Sequence, residues 1–364
     1  MSIENVWFSE GAVPRLIRGA LWPASLVFET VVRGRNALYD RGVFRTIQPP
    51  VPTISVGNLS VGGTGKTPVA AYLVQRLAAA GRHPALVMRG YGDDEPAVHR
   101  LLNPGIPVIT RADRVAGIAE AVTLGADVVV LDDAFQHRRA GRAIDIVLVS
   151  SERWRRDEQV LPAGSLREPM SSLRRASLII VTRKSASDAR LQDVMCDVAA
   201  AAPNVPMASV DLRLDRLVAV HDDAISVPVT DVRDERVLAV AGVGDPGPFF
   251  AQVRGAGAVV TPVAFPDHHQ YTRSDVTRLA ALASGHKYIV TTLKDAVKLT
   301  RVWPPKGAPL WYVSQSLVVG ANPALIDTAL MSWCSLDTST PSYGYRSSPP
   351  HPQNRPAGQG PFPQ

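Results

Sequence analysis

The sequence predicts an α/β protein: a parallel sheet covered on both faces, followed by a second, smaller α/β unit. Three observations predict it. Near-continuous apolar runs at 85–88, 127–131, 144–149 and 178–182 alternate with helical patterns, and strands of that kind are buried on both faces. A further apolar run, Thr53 to Val56, leads through a glycine-rich turn into a helical pattern from Val69 to Ala80. The strand–helix alternation then restarts at Arg236.

The glycine-rich turn carries the most specific chemistry. It reads Val56-Gly57-Asn58-Leu59-Ser60-Val61-Gly62-Gly63-Thr64-Gly65-Lys66-Thr67-Pro68. Strand, glycine turn, Gly-Lys-Thr and helix is the layout of a phosphate-binding loop, as in P-loop NTPases. Glycines let backbone N–H groups converge on an anion, and the helix N-terminus adds a favourable dipole. Gly62, Gly63, Thr64 and Gly65 would cradle the phosphates, Lys66 would reach the β- and γ-phosphates, and the Thr67 hydroxyl would ligate Mg²⁺. The strict pattern wants glycine five positions before Gly65, where this chain has Ser60.

Bulk properties narrow the class. A chain of 364 residues suggests two domains or one elaborated domain. Its two cysteines, Cys196 and Cys334, stand far apart, which argues against a disulfide scaffold or zinc site. A net charge of +6 fits an anionic partner. No signal-peptide cleavage pattern is visible at the N-terminus. From Pro14 to Tyr39 an apolar stretch, flanked by Arg18 and Arg33, is interrupted by Pro23 and Glu29. It is too short for a transmembrane helix, which needs about 20 mostly apolar residues. It reads either as an amphipathic helix in a membrane interface, anchored by Trp22 and Phe28, or as a helix packed on the protein's own core.

Further along, Pro and Gly break the pattern from Arg89 to Gly105, and a helix is expected from Asp113 to Leu124. The stretch from Asp188 to Asp234 is less regular. The second unit contributes strands at 236–241, 258–264 and 288–292, a helix at 273–283, a last strand at 311–313 and a last helix at 323–333. The expected organisation is an N-terminal segment (1–45), a phosphate-loop core (46–205), a linker (206–235), the smaller α/β unit (236–335) and a tail (336–364). That tail is rich in Ser, Pro, Gly and Gln, a composition that cannot bury a core.

Other segments carry acids and bases. Asp132 and Asp133 close an apolar strand about 65 residues after Lys66, the usual place for a second metal element in a phosphate-loop enzyme. Several arginines follow from Arg138 to Arg156, suited to a solvated basic face or to phosphate contacts. Arg167-Glu168 sits in a proline-bounded loop. Asp93-Asp94-Glu95-Pro96 and Phe265-Pro266-Asp267-His268 open loops in different units. A carboxylate and a His meeting across a cleft could accept and orient a hydroxyl proton.

Together these segments resemble the tetraacyldisaccharide 4'-kinase family, the lipid A 4'-kinases of Gram-negative bacteria. The resemblance runs from about Trp22 to Trp333. It rests on the loop 56–68, Arg-Gly-Tyr-Gly (89–92), Asp-Glu-Pro (94–96), Asp-Asp-Ala-Phe-Gln-His-Arg (132–138), Leu-Pro-Ala-Gly-Ser-Leu-Arg-Glu-Pro (161–169), Phe-Pro-Asp-His (265–268) and Thr-Thr-Leu-Lys-Asp-Ala-Val-Lys-Leu (291–299). Ser60 belongs to that family's pattern too.

The resemblance implies ATP- and Mg²⁺-dependent phosphorylation of the 4'-hydroxyl of a tetraacylated glucosamine disaccharide 1-phosphate, giving lipid IV-A. It also implies an N-terminal helix on the cytoplasmic face of the inner membrane. By resemblance, Lys66 and Thr67 are the phosphate-loop pair, Asp94 is the base and His268 its partner. Asp132, Asp133 and Glu168 fall with the metal, and Arg114, Arg167 and His137 at further active-site positions. Two departures stand out: Ala134 replaces the family's usual glycine, and Gly92 runs almost directly into Asp94, so that Asp93 could take its place.

Rival readings are weaker. A GTPase switch would carry Asn-Lys-x-Asp where this chain has Thr182-Arg183-Lys184-Ser185. A non-catalytic membrane scaffold would not be expected to keep Asp94, Asp132, Asp133 and His268 together. No aromatic-interleaved basic strand or recognition helix points to nucleic acid.

Overall fold

The computed structural model describes residues 3–90 and 94–331. Asp93, the Gly92–Asp94 connection, the end of the last helix and the tail lie outside the described residues.

Two helices come first, α1 (Ile3–Phe8) and α2 (Ala12–Asp40). The phosphate-loop half follows as β1 (Thr53–Asn58), α3 (Lys66–Ala79), β2 (Pro84–Met88), α4 (Asp94–Leu102) and β3 (Val108–Thr110). It continues with α5 (Arg114–Thr123), β4 (Val128–Asp132), β5 (Ile144–Ser150), β6 (Leu178–Arg183) and α6 (Asp188–Ala201). Strands β7 (Met207–Ala219) and β8 (Asp222–Pro228) lead into β9 (Arg236–Ala241), α7 (Gly247–Gly255), β10 (Val259–Ala264) and α8 (Arg273–Leu282). The described chain closes with β11 (Tyr288–Thr292), α9 (Leu293–Leu299), β12 (Leu310–Val319) and α10 (Pro323–Met331).

Among the described residues twelve strands share one sheet, with the path β10-β9-β11-β12-β7-β6-β5-β1-β4-β2-β3 and β8 paired on β7. Every pairing is parallel except β12 with β7 and β7 with β8. The parallel sheet expected from the apolar runs is therefore present, and the two halves meet through one antiparallel seam.

Helix α3 shows why the first half holds together. Its Val69, Leu73 and Leu77 recur at helical spacing and are buried with Ile54, Val130 and Ile146 of the sheet. Burying each such side chain contributes about 1.5–3 kcal/mol.

The region read as less regular holds α6 and the β7–β8 hairpin. Helix α6 buries only Val194 and Val198, so its apolar periodicity is faint. Strand β7 is buried over its first half and then carries Arg213, Asp215 and Arg216 at exposed or half-exposed positions, which hides the alternation. Helix α4 was expected as broken chain. Its proline, Pro96, is in the first turn, where a missing N–H costs nothing.

Helix α2 spans 29 residues and includes Pro23. One side packs inward through Ser25, Val32 and Asn36. The Ser25 hydroxyl donates to the Val160 carbonyl and accepts from the Ala163 N–H, both at 2.9 Å. Val13, Leu16, Val27 and Val31 form an outward apolar stripe, 60–74% exposed, and Trp22 is half exposed on another side of the helix. Among the described residues no helix is long and apolar enough to cross a membrane.

Candidate active site

Strand β1 ends at Asn58, and α3 starts at Lys66, with Gly65 in the left-handed region at φ 84° as the turn between them. Gly62 is also left-handed, at φ 112°, so both positions favour glycine. The loop is braced from behind. Val61 N–H donates to the Ser165 carbonyl (2.8 Å) and Arg167 N–H to the Leu59 carbonyl (2.6 Å). The Thr182 hydroxyl donates to the Thr64 carbonyl at 2.9 Å. Asn58 Nδ2 donates to the Ser60 carbonyl (2.7 Å) and to Thr64 Oγ1 (2.9 Å). Such bracing keeps the N-terminal N–H groups of α3 aimed at one point, the requirement for an anion site.

Strand β4 lies between β1 and β2 and delivers Asp132 and Asp133 beside the loop. Asp133 stands at φ 52°; aspartate tolerates that region better than most residues. The departure at Ala134 is harmless because the left-handed residue is Asp133. Gly57 lets this turn approach β1: a Cβ there would lie 2.6 Å from Phe135 Cβ and 2.8 Å from its backbone nitrogen.

Four side chains form one network. Lys66 Nζ donates to Asn58 Oδ1 (3.3 Å) and pairs with Asp133 Oδ1 (3.7 Å). Arg167 reaches Asp133 Oδ2 (3.0 Å) and Asn58 Oδ1 (2.7 Å). Burial would raise the Asp133 carboxyl, but the Lys66 and Arg167 charges outweigh it and hold the group below the usual carboxylate range. Asp132 is buried, its Oδ2 bonded to His99 Nε2 at 3.0 Å, while its Oδ1 has no hydrogen-bond partner.

Across the cleft, Asp94 opens α4 and is nearly buried. His268, at φ 57° in the turn after β10, places Nδ1 3.4 Å from Asp94 Oδ2. Lys294 of α9 lies 3.4 Å from His268 Nε2 and 3.7 Å from the Glu95 carboxylate. Burial pushes the Glu95 carboxyl up. The α9 motif is pinned by Asp295, which accepts from Gly242 N–H (2.9 Å) and the Thr292 hydroxyl (2.8 Å) and pairs with Lys298 (3.1 Å). A cavity of about 630 Å³ is lined by Lys66, Thr67, Asp94, Asp132, Asp133 and His268, with Arg89, Lys298 and Arg301 on its wall.

Of the expected site residues, Gly62, Gly63, Thr64, Gly65, Arg114, His137, Arg167 and Glu168 are not among those lining that cavity, and Arg114 and Glu168 are turned to other partners. Arg114 is buried behind the end of β4, donating to the carbonyls of Arg111 (2.8 Å) and Asp132 (3.4 Å). Glu168, expected with the metal, is a correction. It is fully buried, with Oε1 accepting from Arg35 (3.0 Å) and Oε2 from Asn36 (2.8 Å) and Arg175 (2.8 Å). Both oxygens are committed to holding α2, so neither is offered to a cation. Burial would raise the Glu168 carboxyl, yet Arg175 and the surrounding donors keep it below the usual range. The stability it contributes is therefore full above the unfolded carboxyl value and lost as pH falls through the folded one. Glu168→Gln is expected to cost about 3 kcal/mol, the scale for breaking a buried pair. Urea unfolding checks this, and the gap from wild type should shrink in acid. His137 is half-buried; burial first, then the Arg114 charge, push its imidazole down, which favours the neutral form.

Asn58 and His99 were not singled out by sequence reasoning. Asn58 lay within the quoted loop motif, and its position at a strand end before the glycines was the available signal. His99 had none.

Residues 17–334 match the family model for tetraacyldisaccharide-1-P 4'-kinase. The tetraacyldisaccharide 4'-kinase of Anaeromyxobacter sp. (strain Fw109-5) is 36% identical over 333 residues, covering 82% of this chain and 87% of the relative. That of Geobacter sulfurreducens is 34% identical, covering 80% and 86%. The crystal structure of LpxK from Aquifex aeolicus in complex with ATP superposes with a TM-score of 0.67 at 27% identity, covering 87% of this chain and 98% of that one. By the extent of these matches, the chain belongs to the tetraacyldisaccharide 4'-kinase family.

Proposed function

We propose that this chain transfers the γ-phosphate of ATP to the 4'-hydroxyl of a tetraacylated glucosamine disaccharide 1-phosphate, giving lipid IV-A. One observation carries the reading furthest. A single cavity holds both a phosphate-loop Lys-Thr pair and, facing it, the Asp94–His268 pair at 3.4 Å. That is a donor-phosphate cradle opposite a group able to take a hydroxyl proton.

In this proposal residues 46–205 form the ATP-binding unit and 236–335 the smaller unit that supplies His268, with 206–235 between them. ATP phosphates occupy the Gly62–Thr67 loop. Lys66 leaves Asp133 for the phosphates, and Arg167 keeps Asp133 in place. Asp94 accepts the 4'-hydroxyl proton while His268 fixes its orientation. Arg114 acts through the backbone at Asp132 rather than on substrate. Thr67, Asp132 and Asp133 fit Mg²⁺, since all three line the cavity and Asp132 Oδ1 has no hydrogen-bond partner. Among the described residues no three metal-ligating side chains cluster, and Mg²⁺ bound through one or two carboxylates plus phosphates needs no such cluster. When bound, the ion would neutralise phosphate charge.

The same proposal seats α2 on the cytoplasmic face of the inner membrane, its apolar stripe in the interface and the acyl chains beside it. Charging the stripe tests this. Val27→Glu with Val31→Glu should release most of the protein from sedimenting anionic vesicles without lowering its melting temperature. Unchanged sedimentation would count against the helix.

The reaction is tested with γ-labelled ATP, Mg²⁺ and tetraacyldisaccharide 1-phosphate in detergent micelles. Labelled lipid is expected, and GTP should substitute poorly. ATP binding without any transfer to this lipid would require a different acceptor.

A further inference from the structure

Helix α4 carries two site-facing groups one and a half turns apart. Asp94 opens it, and His99 follows five residues later on the inner side. His99 is completely buried, and its Nε2 lies 3.0 Å from Asp132 Oδ2. A carboxylate offers only acceptors, so Nε2 carries the proton and donates it. Asp132 Oδ1 is left without a hydrogen-bond partner, on a residue that lines the cavity. A carboxylate with one oxygen tied and the other open has lost the freedom to rotate. It is a fixed acceptor on a residue that lines the cavity together with Lys66 and Thr67.

We propose that His99 is a positioning residue for the metal–phosphate site, and that its bond to Asp132 also sets how far the Asp94 carboxylate stands from that site. This rests on the kinase reading above. The second half of the inference follows from connectivity. Asp94 and Asp132 belong to different elements, α4 and the end of β4. Among the described residues, the His99–Asp132 hydrogen bond is the side-chain contact that ties the body of α4 to β4 at the cavity. The family of acids around the cleft is otherwise held from the other side. Arg167 and Lys66 fix Asp133, while Lys294 and His268 fix the N-terminus of α4. Without His99, Asp132 would be free to turn away, and α4 would lose its side-chain tie to β4 while keeping its packing on α3, β3 and α9. Outer partners that orient metal-ligating groups typically change metal affinity 10–100-fold when removed.

The test measures Mn²⁺ binding in the presence of ATP by electron paramagnetic resonance, with melting temperature recorded for each variant. His99→Leu keeps the bulk and removes the donor. Its Mn²⁺ affinity should fall about tenfold, with kcat falling and the lipid KM unchanged. His99→Gln, whose amide can replace Nε2–H, should recover most of the affinity. In an Asp132→Asn background, His99→Leu should have no further effect on Mn²⁺. If His99→Leu fails to fold, His99→Asn takes its place, being polar but too short to reach. Wild-type Mn²⁺ affinity in a folded variant lacking the donor would overturn the proposal. So would equal loss in His99→Gln and His99→Leu. A wild-type protein that binds no Mn²⁺ with ATP would instead count against the kinase reading itself.

Discussion

Lys66→Ala is expected to lower phosphoryl transfer by about 10²–10³-fold, the loss usual for one preorganised charge-stabilising donor. The argument begins in the ground state. Lys66 is held ready by Asn58 at 3.3 Å and Asp133 at 3.7 Å, so little reorganisation is needed when phosphate arrives. Charge gathers on the transferring group and on the leaving oxygen, and a preplaced ammonium lowers that state more than the resting one. Removing it also leaves Asp133 to Arg167 alone, at 3.0 Å, adding uncompensated negative charge beside the phosphates. Initial rates with labelled ATP should therefore show a fall in kcat and a rise in the ATP KM. A purified Lys66→Ala protein with full activity would refute the loop assignment.

Asp94→Asn carries the second large effect, a loss of about 10³-fold in kcat with the lipid KM little changed. The substitution keeps shape and removes the proton acceptor. His268→Ala should cost less, about tenfold, because it removes only the group that orients Asp94 at 3.4 Å. The two changes together should cost no more than Asp94→Asn alone, since groups acting as one unit are not additive. Transfer undiminished in Asp94→Asn would leave catalysis to positioning and charge neutralisation.

Both predictions rest on residues that were legible before any fold was known. The reason is local. A phosphate loop is a short continuous segment, and its glycines, Lys66 and Thr67 are fixed by what one turn and one helix start require. Asp132 and Asp133 were legible because they close a strand whose apolar run ends abruptly. The pairing of Asp94 with His268 was raised as one possibility by the two loops in different units and assigned by the family resemblance.

Glu168 shows where sequence reading fails. Its metal role was expected from the family resemblance, since the Arg-Glu pair in a proline-bounded loop carries no such role by itself. Its actual partners, Arg35, Asn36 and Arg175, lie 133, 132 and 7 residues away in the chain. Nothing local distinguishes a carboxylate that holds a cation from one that holds a helix. The neighbouring Arg167 reaches instead to Asp133 and Asn58.

Local patterns along the chain were enough for the α/β class, the parallel strands of the phosphate-loop half, the phosphate loop and the acidic strand end. These follow from short-range rules: apolar run length, glycine conformations and helix starts. That the halves share one sheet through β7 and β12, that α4 is a helix at the cleft, and that His99 grips Asp132 is visible only in the folded molecule. Those are contacts between segments far apart in the chain, and they are set by which buried surfaces and unsatisfied polar groups meet when the sheet closes, a choice no local pattern encodes.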